Sequence, residues 1–121
     1  MEDKIFEMTP TKIGPAGAGS RAILVPRDSL TYQNCEELET MFNDSLSQHK
    51  TEIILNCKAV SFMDSEALEL LLRFHKELRS REGRLKIIGL NAVCRDILTA
   101  TRINSVLDVY EDIHQAVKGA S

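Results

Sequence analysis

The 121-residue chain carries fifteen Lys and Arg against eighteen Asp and Glu, for a formal net charge of −3, with 43% hydrophobic and 27% charged residues. That is the make-up of one soluble globular domain, 1–121, large enough to bury a core without a metal or disulfide staple. It excludes a global basic field that would draw the chain to nucleic acid or anionic lipid. Aromatic residues are only 5%, with no Trp, too few for a base-stacking platform. The longest apolar runs, Ile53–Leu55 and Leu70–Leu72, fall far short of a membrane span. Met1-Glu2-Asp3-Lys4 lacks the layout of a signal peptide. A cytoplasmic protein is expected.

Lys4 to Met8 reads as a first strand, followed by a flexible loop at Gly14–Ser20. The glycines of that loop do not make a phosphate loop, because Gly17-Ala18-Gly19-Ser20 lacks the Gly-Lys-Ser/Thr ending and leads into a strand. Ala22–Val25 is that strand, stopped by Pro26, and the pair suggests a hairpin. Cys35, Leu38, Met41, Phe42 and Leu46 recur at helical spacing, with Thr31 as the expected N-cap. Ile53–Leu55 is too short for a helix and reads as a central strand covered on both faces.

A second helix is expected from Ser65 to Arg81, ended by Gly83. Leu85–Ile88 forms the next strand and closes at Gly89. Asn91 caps a third helix with Val93, Ile97 and Leu98 turned inward. Val106–Tyr110 is the last strand, and Ile113, Ala116 and Val117 mark a short C-terminal helix. Alternating strands and helices with short links imply parallel pairing and right-handed crossovers. The fold class is therefore α/β: a mixed four- to five-stranded sheet with an N-terminal hairpin and about four helices packed over it.

Cys35, Cys57 and Cys94 are separated by tens of residues with no CxxC pair. They are expected to be reduced and buried rather than disulfide-linked or zinc-bound. His49, His75 and His114 are equally scattered, so neither a metal centre nor a cofactor is expected.

The informative segment is Lys58–Leu68, at the carboxyl end of the central strand, where open α/β sheets present their loops. Phe62-Met63-Asp64-Ser65 followed by Leu68 resembles the motif of the STAS domain, specifically of bacterial anti-sigma factor antagonists. The resemblance continues through Gly83-Arg84 to Ile88 and Asn91–Leu98, covering about residues 50–117. It implies a switch protein rather than an enzyme, with no catalytic residue. The phospho-acceptor would be Ser65 and the preceding acid Asp64. The docking segment would be Asp64, Ser65, Glu66, Ala67 and Leu68. The implied partner is an anti-sigma factor serine kinase, with a serine phosphatase to reset the switch. Three positions depart from the pattern: Ala67 stands for a glycine, Glu66 for a small hydroxyl residue and Thr31 for an acid. Glu66 and Ala67 favour the alternative, a STAS scaffold or accessory subunit of a sensing or transport complex that is never phosphorylated.

Ser65 at the first turn of a helix is where backbone N–H groups and the dipole favour an anion. Asp64, Glu66 and Glu69 oppose added charge there. Asp and Ser are also good helix caps in their own right. The apolar arc of the second helix, from Ala67 to Leu78, is wider than one stripe. It either leaves a docking surface exposed or is buried on two sides. The cationic residues Arg73, Lys76, Arg79, Arg81 and Arg84 are interleaved with Glu77 and Glu82 and read as a solvated face.

Overall fold

Alternation of inward and outward side chains in the strands sets the architecture. In the computed structural model, which describes residues 6–10 and 21–118, five strands form one sheet in the order β1-β2-β3-β4-β5. These are β1 (Phe6–Pro10), β2 (Arg21–Pro26), β3 (Glu52–Asn56), β4 (Arg84–Ile88) and β5 (Asp108–Tyr110). β1 pairs antiparallel with β2, Phe6 opposite Pro26, and the remaining pairs are parallel. The hairpin and the mixed sheet are as expected. The Gly14–Ser20 loop, the start of the expected first strand and the Gly17–Ser20 reading lie outside the described residues.

Between the strands run α1 (Cys35–Ser47), α2 (Ser65–Ser80) and α3 (Ala92–Ala100), and α4 (Ile113–Lys118) closes the chain. Leu24, Ile53, Leu55, Leu85 and Ile87 point to one face of the sheet and share a core with Leu38 and Phe42 of α1, Leu71 and Phe74 of α2, and Cys94 and Leu98 of α3. The rings of Phe42 and Phe74 stack with centroids 3.7 Å apart, fastening α1 to α2. The alternate residues Ile54 and Ile88 face the other way and pack with Ala116 of α4. β3 is thus covered on both faces, and its three apolar residues are each no more than 1% exposed.

The second face also buries charge. Lys86 of β4 is fully buried; its Nζ lies 2.6 Å from Glu52 Oε2 and donates to the Ala116 carbonyl at 2.7 Å. Arg21 Nε donates to Glu52 Oε1 at 2.8 Å. Burial opposes the charge on Glu52, but hydrogen bonds from Lys86 and Arg21 outweigh it and hold the carboxyl below its usual range.

Four local expectations are corrected. Asn34, not Thr31, is the N-cap of α1, and it makes no side-chain cap bond. Its amide instead accepts from the Thr31 N–H at 2.9 Å and donates to the Ser29 carbonyl at 2.6 Å. Val93 is half exposed, because capping at Asn91 starts α3 at Ala92 and gives the inward positions to Cys94 and Leu98. Val106 is also exposed; a 3₁₀ turn at Ile103–Ser105 precedes it, Leu107 takes the inward position, and β5 starts only at Asp108. Cys35 is half-buried, whereas Cys57 and Cys94 are buried as expected.

Gly83 and Gly89 each answer a steric demand. A Cβ on Gly83 would collide with the Thr51 carbonyl, whose oxygen accepts the Arg84 N–H at 2.8 Å. Gly89 has φ +76°, the left-handed region that side-chain-bearing residues rarely adopt.

Candidate functional site

The chain leaves β3 at Asn56 and must cross to α2 over the carboxyl edge of the sheet. Leu30 N–H donates to the Phe62 carbonyl and Asp64 N–H to the Leu30 carbonyl, both at 3.1 Å, so that Leu30 and Met63 form a one-residue parallel bridge. Phe62 N–H donates to Ser29 Oγ at 3.3 Å. From the other side, Asn91 Nδ2 donates to the Ser61 carbonyl at 3.2 Å, and Cys94 Sγ donates to the Val60 carbonyl at 3.6 Å. Three crossovers are therefore stitched together beneath the start of α2. The apolar pair divides: Met63 is 3% exposed and anchors the turn, whereas Phe62 is 44% exposed.

Asp64 is the N-cap of α2, with extended backbone and Oδ1 accepting the Ala67 N–H at 3.0 Å. Its other oxygen, Oδ2, accepts the N–H of Tyr32, 32 residues earlier, at 2.8 Å. One carboxylate thus caps the acceptor helix and holds the β2–α1 connection. Tyr32 itself is 66% exposed.

Ser65 and Glu66 are exposed in the first turn, Asp64 is half-buried, and Ala67 and Leu68 are buried. The five residues of the expected docking segment therefore separate into a surface part, Asp64 to Glu66, and a part that seats the helix. The apolar arc of α2 is likewise inward: Ala67, Leu68, Leu70, Leu71, Phe74 and Leu78 are buried, which leaves the reading of burial on two sides. An open cleft of about 400 Å³ adjoins this turn between α1 and α2, lined by Glu36, Glu39, Glu66, Glu69 and Arg73 among others. Cys35 borders it; burial, then the carboxylates of Asp64 and Glu66, push its thiol up, the opposite of an activated nucleophile.

Cationic residues on and just after α2 pair with carboxylates: Arg73 with Glu39, Arg81 with Glu77 and Arg84 with Asp108. Among the described residues no group of three His, Cys, Asp or Glu could hold a metal ion, and no helix is long and apolar enough to cross a membrane. Sequence reasoning missed Tyr32 and Asn91 as parts of this site. The Asn91 contact had a signal in its capping position; the Tyr32 contact had none, since a backbone N–H is common to nearly every residue.

Comparison with known proteins adds the following. The family model for the STAS domain matches residues 15–116. A Thermotoga maritima protein described as a candidate anti-sigma factor antagonist has a similar structure, with a TM-score of 0.78, 22% identity, and coverage of 83% of this chain and 86% of that one. The Bacillus cell fate determinant SpoIIAA in its phosphorylated form matches with a TM-score of 0.66 at 18% identity, over 96% of this chain and 99% of its own. The murine anion transporter Slc26a9 contains a similar domain, with a TM-score of 0.67 at 16% identity, over 84% of this chain and 18% of the transporter. No curated protein matches the sequence.

Proposed function

Because this chain belongs to the STAS domain family, we propose that it is a cytoplasmic anti-sigma factor antagonist, bound by an anti-sigma factor serine kinase and released by phosphorylation at Ser65. The observation that carries this reading is the exposure of Ser65 at the first helical position of a turn held in place by Leu30, Asp64 and Asn91. A hydroxyl presented on a fixed backbone can be reached by a kinase, and phosphate there adds roughly −1.5 to −2 charge to the docking surface. Exposed Phe62 and Tyr32 beside it supply apolar contact area. Charge placed in such a contact breaks it by repulsion and desolvation, with no refolding of the domain. A serine phosphatase restores the binding form. The role asks for no cofactor and no catalytic residue in this chain.

A second reading, a scaffold or accessory module that is never phosphorylated, is favoured by Glu66. Its exposed carboxylate stands directly after the acceptor, where the phosphate donor must approach. Incubation with ATP and a serine kinase encoded beside the gene, followed by peptide mapping, decides between them. Stoichiometric modification at Ser65 supports the switch. Modification only at Ser61 or Thr101 overturns the assignment of the acceptor, and a tight complex without any modification supports the scaffold.

A further inference from the structure

The carboxylate of Asp64 faces two ways, and this gives the turn more than a cap. Oδ1 is bonded to the Ala67 N–H inside the acceptor helix, and Oδ2 to the Tyr32 N–H in a separate crossover. The Tyr32 segment has a second tie to the turn through Leu30, which both donates to Phe62 and accepts from Asp64. Leu30 is buried, so that tie is anchored, whereas Tyr32 two residues on projects into solvent. Thr31 and Asn34 make their own local turn, in which the Asn34 N–H donates to the Thr31 carbonyl at 3.0 Å. Tyr32 therefore lies exposed between two buried residues, Leu30 and Asn34, and the bond from its N–H to Asp64 can open without unseating either.

We propose that Asp64 is a positioning residue that couples the state of Ser65 to Tyr32, so that phosphate on Ser65 loosens the Tyr32 segment as well as charging the turn. The proposal rests on the reading of Ser65 as a phospho-acceptor. A phosphoserine dianion in the residue next to Asp64 repels that carboxylate. It also offers its own oxygens to the helix N-terminus, where Asp64 now supplies the cap. Glu66 and Glu69, exposed in the same turn and the next, add to the repulsion. Of the two bonds that Asp64 makes, the one to Ala67 lies within a continuous helix, whereas the one to Tyr32 is exposed and joins separate segments. The Tyr32 bond gives way first. The switch would then act at two places on the docking surface, the acceptor itself and an exposed aromatic side chain on the neighbouring crossover.

The test installs phosphoserine at position 65 during synthesis, so that no kinase is needed and the outcome is independent of whether one exists. Amide hydrogen exchange resolved by NMR then follows Tyr32 in four proteins: parent and Asp64→Asn, each with and without the phosphate. Exchange at Tyr32 is expected to rise about tenfold with phosphate in the parent, with Leu38 in α1 unchanged. In Asp64→Asn it is expected to be fast already and to change less than about twofold on phosphorylation. Unchanged Tyr32 exchange in the phosphorylated parent overturns the proposal. So does an equal rise in both backgrounds, because the effect then bypasses Asp64. Should the Asn variant not fold, the parent pair still tests the proposal, since unchanged Tyr32 exchange on phosphorylation overturns it.

Discussion

Two carboxylates organise this fold, and they do so in opposite surroundings. Glu52 lies against a fully buried lysine and an arginine that is 9% exposed, on the face of the sheet covered by α4. Asp64 is half-buried at the carboxyl edge and is bonded to backbone N–H groups of two segments. The first arrangement cannot lose a member without leaving a charge stranded away from water, so it behaves as a permanent fixture. The second faces water, where a lost bond is replaced by hydration at small cost. The same functional group therefore serves as an anchor in one region and as an adjustable contact in the other. Burial of the partners makes the difference.

The largest expected effect lies on the buried side. Lys86→Ala leaves Glu52 short of a partner and the Ala116 carbonyl without its donor. A loss of about 3–5 kcal/mol in urea unfolding is expected, and a loss under 1 kcal/mol would erase the contrast. Acid sharpens the same point. The folded-state carboxyl of Glu52 is held below its usual range, so its contribution is present above the unfolded value of about 4.3 and is lost as pH falls through the lower folded value. Glu52→Gln should remove that share of the acid dependence, read as a flatter curve of stability against pH below about 4.

Asp64→Ala should cost less, about 0.5–2 kcal/mol for a lost helix cap. A loss as large as that of Lys86→Ala would mean that the edge is as rigid as the interior. Ala67→Gly comes next, at about 0.5–1 kcal/mol. If the kinase requires close approach at this position, the same variant is phosphorylated faster in spite of its lower melting temperature. Ser65→Asp and Ser65→Ala should each stay within about 0.5 kcal/mol of the parent in stability. Calorimetry should nevertheless separate them in kinase affinity, the acidic variant binding more weakly by about 1–3 kcal/mol.

How far the sequence reveals this contrast depends on the range of the interaction. The strands were legible because apolar runs such as Ile53–Leu55 have few alternatives, and Asp64 and Asn91 were legible as caps because capping is local. Thr31 misled for the same reason. It is a good capping residue, but Asn34 enters the first turn while its side chain is occupied by Ser29 and Thr31. Val93 failed by one step around the helix: Cys94 and Leu98 are four apart and fix the inward face, leaving Val93 about 100° away. The width of the apolar arc on α2 was visible, but its burial depended on α1 supplying Phe42 against Phe74. The Asp64–Tyr32 contact and the Arg21–Glu52–Lys86 cluster were not legible, since each joins segments through geometry that no local pattern encodes.

The sequential strand order has a consequence for what this edge can recognise. From β2 to β5 each strand adds beside its predecessor and α1, α2 and α3 lie over the same face. Open sheets whose order reverses splay two neighbouring crossovers apart and create the crevice in which nucleotides and other small molecules settle. No such reversal occurs along these strands, so the three crossover starts follow one another along a single edge, with Tyr32, Phe62 and Val93 exposed on them. Side chains presented outward in this way can be gripped by a groove on another protein.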